Sequence, residues 1–224
     1  MAHIGTLQEG PLHAALKEWV SLPGDRFEVP LDGYVIDVVR DGELIEVQTG
    51  GFSALGPKLD ALLDVHPMTI VAPLAFRTRI TKVGDGGEIV DERWSPKRAS
   101  TRSIFERLVS FPSLLGHPNL SVLAVGTVER EVRRHHEGRA WRRKGWVIEE
   151  RHLVEVVDEA RLDGVADALA LLPPGLPDPF TTADIAAAAD VPRRLAQQMA
   201  YCLREMGAIR EVTRTGNAIG YRRA

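Results

Sequence analysis

The sequence predicts a mixed α/β protein, a central sheet flanked by helices, followed by a small unit of two helices and a hairpin. Three observations carry this. Apolar stripes at helical spacing alternate with extended β-branched runs. The run MTIVAPLA (68–75) is almost wholly apolar, as a strand buried on both faces must be. LLPPGLPDPF, with four prolines, is the one clear linker. The organisation that follows is an α/β domain over residues 1–172, a Pro-rich linker over 173–179 and a C-terminal unit over 180–224.

The first element is a helix from about Thr6 to Val20. Thr6 and Glu9 have capping-box spacing, and Leu12, Leu16 and Val20 recur every four residues. Pro11 requires the first turn to be distorted. SLPGDR ends the helix. Three extended runs follow, RFEVPL, YVIDVVR and ELIEVQT, the last two joined by Asp41-Gly42, a strong hairpin signal. FSALGPKLDALLDV is helical, with Ser53 as its cap, and leads into the buried strand MTIVAPLA. FRTRITKVG and GEIVDERW form a hairpin around Asp85-Gly86-Gly87. A helix with Ile104, Leu108 and Val109 on one side is closed by Pro112 and Gly116. Two long strands then flank the basic segment RRHHEGRAWRRKG. Beyond the linker, Thr181 or Thr182 caps a short helix. Pro192 opens a second, whose stripe is Leu195, Met199, Cys202, Leu203 and Met206 and which ends at Gly207. Two short strands around Thr215-Gly216-Asn217 complete the pattern of a winged helix-turn-helix.

With 224 residues, 44% of them hydrophobic, the chain can bury a sizeable core. No apolar run approaches the roughly 20 residues that span a bilayer, and the N-terminus lacks a secretory pattern. Cys202 is the only cysteine, which excludes an intrachain disulfide and a cysteine-based zinc cluster and fits a reducing, cytoplasmic setting. The net charge of −3 gives no global basic field, so contact with nucleic acid must come from local patches.

Chemistry concentrates on the second and third strands. Asp37 lies among Val35, Ile36, Val38 and Val39, where an acid has little solvated face and needs a partner. Glu46 lies on the neighbouring run, so the two carboxylates are expected to converge at one side of the sheet's end. Two hard oxygen donors, with the Val47 carbonyl nearby, suit Mg²⁺ or Mn²⁺. Gln48, on the strand face of Glu46, is placed to orient a water, and Lys58 on the next helix can supply positive charge. Glu9 is either the reciprocal acid of the capping box or an accessory to the metal. Lys58 reads equally as an ordinary solvated helix lysine.

From Thr6 to about Ala75 these elements resemble the core of the PD-(D/E)XK nuclease superfamily, especially its Holliday-junction-resolvase-like branch, and so imply a restriction-endonuclease-like fold. In that core a helix bears an acid, one strand carries the motif Asp and the next carries Glu-x-Lys. Here the corresponding residues are Glu9, Asp37 and Glu46-Val47-Gln48. Gln48 stands where the family has lysine. The resemblance implies Mg²⁺-dependent hydrolysis of DNA phosphodiester bonds by a two-fold dimer, with Lys58 as a relocated lysine. The alternative is a fold that has lost catalysis and keeps a DNA-binding or regulatory role.

Two basic surfaces point to DNA as the partner. Arg133, Arg134, Arg139, Arg142, Arg143 and Lys144 surround Trp141 and Trp146, where guanidinium forks suit phosphates and indoles stack on bases. In the C-terminal unit, Arg193, Arg194, Gln197 and Gln198 occupy the non-apolar side of the second helix, with Arg210, Arg214, Arg222 and Arg223 on the hairpin. A solvated hairpin tip and a protein-contacting winged helix are the plainer readings of the same residues.

Overall fold

A computed structural model describes residues 9–224. Helix α1 is Pro11–Val20, shorter than predicted; Thr6 lies outside the described residues, and Glu9 precedes the helix. Pro11 explains the difference. It takes the first helical position, where its missing N–H is of no consequence. Strands β1 (Arg26–Leu31), β2 (Tyr34–Arg40) and β3 (Glu43–Val47) form an antiparallel meander. Helix α2 (Gly56–Leu62) follows a 3₁₀ turn over Phe52–Leu55, and Ser53 makes no cap; Pro57 sits in the first turn instead.

Strand β4 (Met68–Val83) and strand β5 (Ile89–Trp94) pair antiparallel. The two runs predicted as separate strands, MTIVAPLA and FRTRITKVG, are therefore one 16-residue strand, with a register shift between Ala75 and Arg77. A 3₁₀ turn over Thr101–Ile104, boxed by Ser100 and Ser103, leads into the single turn of α3 (Phe105–Leu108). Strands β6 (Leu120–His135) and β7 (Trp146–Leu162) are the long pair. A short helix that sequence reading did not find, α4 (Val165–Ala170), precedes the proline segment. The C-terminal unit is α5 (Thr182–Ala189), α6 (Arg193–Glu205), β8 (Ile209–Thr215) and β9 (Ala218–Arg223). Thr181 caps α5 in a capping box with Asp184.

The architecture is thus mixed α/β, a central sheet flanked by helices. The sheet runs β1-β2-β3-β4-β6-β7, with β5 attached to β4, and β4 is parallel to both β3 and β6. Helix α1 covers one face, setting Leu12 and Leu16 on Val38, Ile45, Val47, Val71 and Val125. The other face meets α2 and α3 through Leu59, Leu62, Phe105 and Leu108. That second core continues without a break into the C-terminal unit, taking in Ile185, Leu195, Met199, Cys202 and Leu203. Among the described residues no helix is long and apolar enough to cross a membrane.

One topological detail shapes the site. Strand β3 pairs only with Met68–Val71 of β4, and β5 pairs only with Arg79–Val83. Between them the β4 edge has no strand partner. Its carbonyls are taken instead by Gln48 N–H at Val71, the Arg107 guanidinium at Pro73, Ala99 N–H at Ala75 and Ser95 N–H at Thr78. The missing N–H of Pro73 falls on this same open side, which is why a proline is tolerated inside a central strand.

Candidate functional site

The β2–β3 ladder runs from Arg40–Glu43 to Val38–Ile45 and then opens. At the next step Asp37 puts its carboxylate between the strands, and the Val47 N–H donates to Asp37 Oδ2 at 2.8 Å. His13, from the first turns of α1, donates through Nε2 to the same oxygen at 3.0 Å. Burial alone would raise the Asp37 pKa, but His13 and the Val47 N–H outweigh it and hold the carboxyl below its ordinary value. The same pairing lifts the His13 imidazole above its ordinary value against the pull of burial. His13 Nδ1 faces Glu9 Oε1 at 3.2 Å, and Lys17 reaches Glu9 at 2.6 Å and Glu28 at 2.5 Å. Glu9 is therefore tied to the α1 side chains His13 and Lys17; its predicted capping partner, Thr6, lies outside the described residues.

Glu46 is held from the opposite face. Lys58 Nζ, on α2, donates to Glu46 Oε1 at 2.6 Å and to the Val35 carbonyl at 2.9 Å. Glu46 Oε2 is buried with no hydrogen-bond partner. Burial first, and then the charge of Asp37, raise the Glu46 pKa despite Lys58. The two acids are thus supported from opposite sides of the sheet, a departure from the expected convergence on one side. Asp37 nevertheless raises Glu46, Lys58 stabilises ionised Asp37 and His13 does the same for Glu46, so the four form one electrostatic cluster at the mouth of the fork.

Gln48 lies just past β3. Its side-chain amide donates to the Gly51 carbonyl at 2.8 Å, so the turn occupies it, and its backbone carbonyl accepts from Arg107 at 2.7 Å. Val47 enters the cluster through its N–H. Among the described residues no three or more His, Cys, Asp and Glu side chains gather into a metal-holding group. Two carboxylates nevertheless fit the habit of Mg²⁺, which takes one or two protein carboxylates and completes its shell with water and phosphate. The orphaned, buried Glu46 oxygen is the observation that a cation would satisfy.

The gap in the β4 edge forms part of a groove of about 950 Å³ lined by Pro73, Ala75 and Thr78 of β4 and by Leu12 and Thr49, chain neighbours of the cluster; His13, Asp37, Glu46 and Lys58 do not themselves line it. Of the basic residues predicted to meet DNA, Arg133 and Arg143 line it. Arg133 is paired with Glu131 at 2.5 Å, Arg134 with Glu149 at 2.7 Å and Arg222 with Asp178 at 2.7 Å. Arg139, Arg142, Arg143, Lys144, Arg193, Arg194 and Arg214 have no ion pair among the described residues, and Arg142 lies over the Trp141 ring. On α6, Gln197 is exposed, whereas Gln198 turns its amide oxygen inward without a partner.

Sequence reading missed His13, Lys17 and Arg107. Only the four-residue spacing of Glu9 and His13 could have signalled the first. Arg107 lies 59 residues from the carbonyl it meets, a contact with no local signature.

A family model described as "Domain of unknown function (DUF8091)" matches residues 10–163. An "Uncharacterized protein" of Treponema pallidum (strain Nichols) is 34% identical over 186 residues, which is 82% of this chain and 73% of that protein. No solved structure matches. The matched span holds His13, Asp37, Glu46, Lys58 and Arg107, and stops at the end of β7.

Proposed function

We propose, from the premise that the chain belongs to the family of the DUF8091 domain, that it is a metal-dependent deoxyribonuclease with a restriction-endonuclease-like core and a C-terminal winged helix. The observation that carries this is the Lys58–Glu46 pair beside Asp37. It sets a lysine from α2 against the strand acid, where the Glu-x-Lys motif has Gln48. Asp37 and Glu46 would hold Mg²⁺ or Mn²⁺, Asp37 through Oδ1, since His13 and the Val47 N–H occupy Oδ2, and Glu46 through the oxygen that lacks a partner. Bound there, the cation would activate water and neutralise charge on the scissile phosphate.

The remaining roles belong to the chain itself. His13 and the Val47 N–H orient Asp37 and keep it ionised. Lys58, bound to Glu46 and the Val35 carbonyl, would supply positive charge at the mouth of the fork. Glu9 fixes the imidazole of His13 from its far side. The groove, whose wall includes Leu12 next to His13, would hold the polynucleotide.

A second reading, a DNA-binding protein on a catalytically degenerate nuclease fold, draws support from Gln48, whose amide is bound to its own turn. Titration of the full chain with Mg²⁺ and Mn²⁺ on single-stranded, duplex, flap and four-way DNA separates the two. Cleavage that disappears in Asp37→Ala and Glu46→Ala, with DNA binding retained, is the expected result. Absence of cleavage on all four substrates with both metals would give the ground to the binding protein.

A further inference from the structure

The groove carries more positive charge than its own acids can neutralise. Arg93, Lys97, Arg98, Arg107 and Arg143 line it, and none of the five has an ion pair among the described residues. Three acids share the space. Glu131 is already paired with Arg133 and Arg151. Glu129 is buried and accepts the Thr127 hydroxyl at 2.8 Å, and burial pushes its carboxyl upward. Glu106 alone is exposed and unpaired.

Arg107 is the deepest of the cations. Its guanidinium spans the gap in the β4 edge, donating to the Gln48 and Pro73 carbonyls. Burial lowers it to about 10 against the charges of Glu129 and Glu106, so it stays charged at neutral pH, and among the described residues no carboxylate lies within ion-pair distance of it. A buried cation bound only to neutral carbonyls is stabilised most by an anion with several oxygens. At the β6–β7 turn, two residues from Arg143, Trp141 is 80% exposed even with the Arg142 guanidinium over its ring at 5.2 Å. Trp94 is not equivalent: Arg93 faces the groove, and on the other side of β5 the Arg77 guanidinium covers the Trp94 ring at 4.2 Å.

We infer that this groove is a binding site for single-stranded DNA, with phosphates on Arg93, Lys97, Arg98, Arg107 and Arg143 and a base on Trp141. Its volume suits a few nucleotides of one strand. Exposed indole next to free guanidinium is the combination that holds unpaired bases without reading sequence. The inference deepens the nuclease reading by naming the strand state of the substrate, but the binding it describes needs no metal.

Fluorescence anisotropy on the full chain in EDTA tests it, with labelled oligothymidine of about 12 nucleotides, inside the ~4–16 nucleotide range of single-strand sites. Log Kd should rise with log salt at a slope of about 3.5, since about 0.7 counterion is released per phosphate on single strands and five cations are engaged. Lys97→Glu with Arg98→Glu, both exposed, should weaken binding about tenfold or more and flatten the slope by about 1 to 2. Arg26→Glu, on β1 away from the groove, should leave it unchanged. Trp141→Ala should weaken single-strand binding and leave thermal stability alone. Tighter binding of a duplex of equal length, or equal affinity in the groove and β1 variants, would overturn the inference. Failure of metal-dependent cleavage leaves every arm of this experiment intact and bears only on the nuclease reading.

Discussion

At the scale of single residues, Glu46 bears the greatest electrostatic burden. One oxygen has Lys58, the other has no partner, and both side chains are only 12% exposed. Lys58→Met should therefore cost on the order of 3 kcal/mol at neutral pH, the effect of leaving a buried charge alone. The cost should depend on pH with a definite sign. Burial and Asp37 already raise the folded-state pKa of Glu46 above the roughly 4.3 of an unfolded chain, and loss of Lys58 raises it further. A raised folded pKa means stability that is fully present below about pH 4.3 and is lost as pH rises through the folded value. Urea midpoints of the variant and the native chain should therefore nearly coincide at acid pH and separate toward pH 7.5. A constant gap across that range would mean that Lys58 acts through packing. Asp37, Glu46 and Lys58 were legible as candidates because an acid among β-branched neighbours and a lysine on the next helix are local facts. His13 was not, because its partner Asp37 lies 24 residues away and nothing periodic connects them.

At the scale of elements, the turn at Asp41-Gly42 fixes how β2 and β3 face each other, and so where the fork opens. Both residues have positive φ, +47° and +90°, as a two-residue hairpin turn of the right twist demands. A methyl group on Gly42 would meet nothing within 4 Å, so Gly42→Ala isolates backbone strain from crowding. The expected loss is about 1–2 kcal/mol, the penalty of a left-handed conformation, read as a lower urea midpoint at unchanged m-value. No loss would show that the turn relaxes without disturbing the ladder. This hairpin was legible from two letters. Strand β4 was not, because its apolar run stops at Phe76 and an alternating pattern begins. The structure joins the two because β4 leaves the covered part of the sheet and continues half exposed, with the shift after Ala75 absorbing the change. Helix α4 was missed for a related reason: six residues beside four prolines look like linker, and only Ala168, packed in the core, reveals the element.

At the scale of the whole molecule, the proline segment separates two units in sequence while the core passes between them. Ala196, Met199, Ala200, Cys202 and Leu203 of α6 are all at most 1% exposed, more buried surface than one short helix and a two-stranded hairpin can cover. Part of the cover is α3: Cys202 Sγ lies 4.0 Å from the Phe105 carbonyl oxygen, and burial raises the thiol to about 12. Sequence periodicity identified the stripe on α6 but not its destination, since a stripe does not say which unit it faces. The consequence is energetic. A chain ending at Leu172 would uncover the part of the continuous core that Leu195, Met199, Cys202 and Leu203 of α6 now cover, beside α3. Each large apolar side chain returned to water forfeits roughly 1.5–3 kcal/mol, against a total stability of about 5–15 kcal/mol for a typical domain. Residues 1–172 alone should therefore bind a hydrophobic dye and melt without a sharp transition, whereas the full chain melts cooperatively. A truncated chain that unfolds in one transition within a few degrees of the full chain would show instead that the C-terminal unit is an attached module. Its exposed Arg193, Arg194 and Arg214 could then move independently of the groove, and any DNA held by both units would have to span a flexible joint rather than one continuous surface.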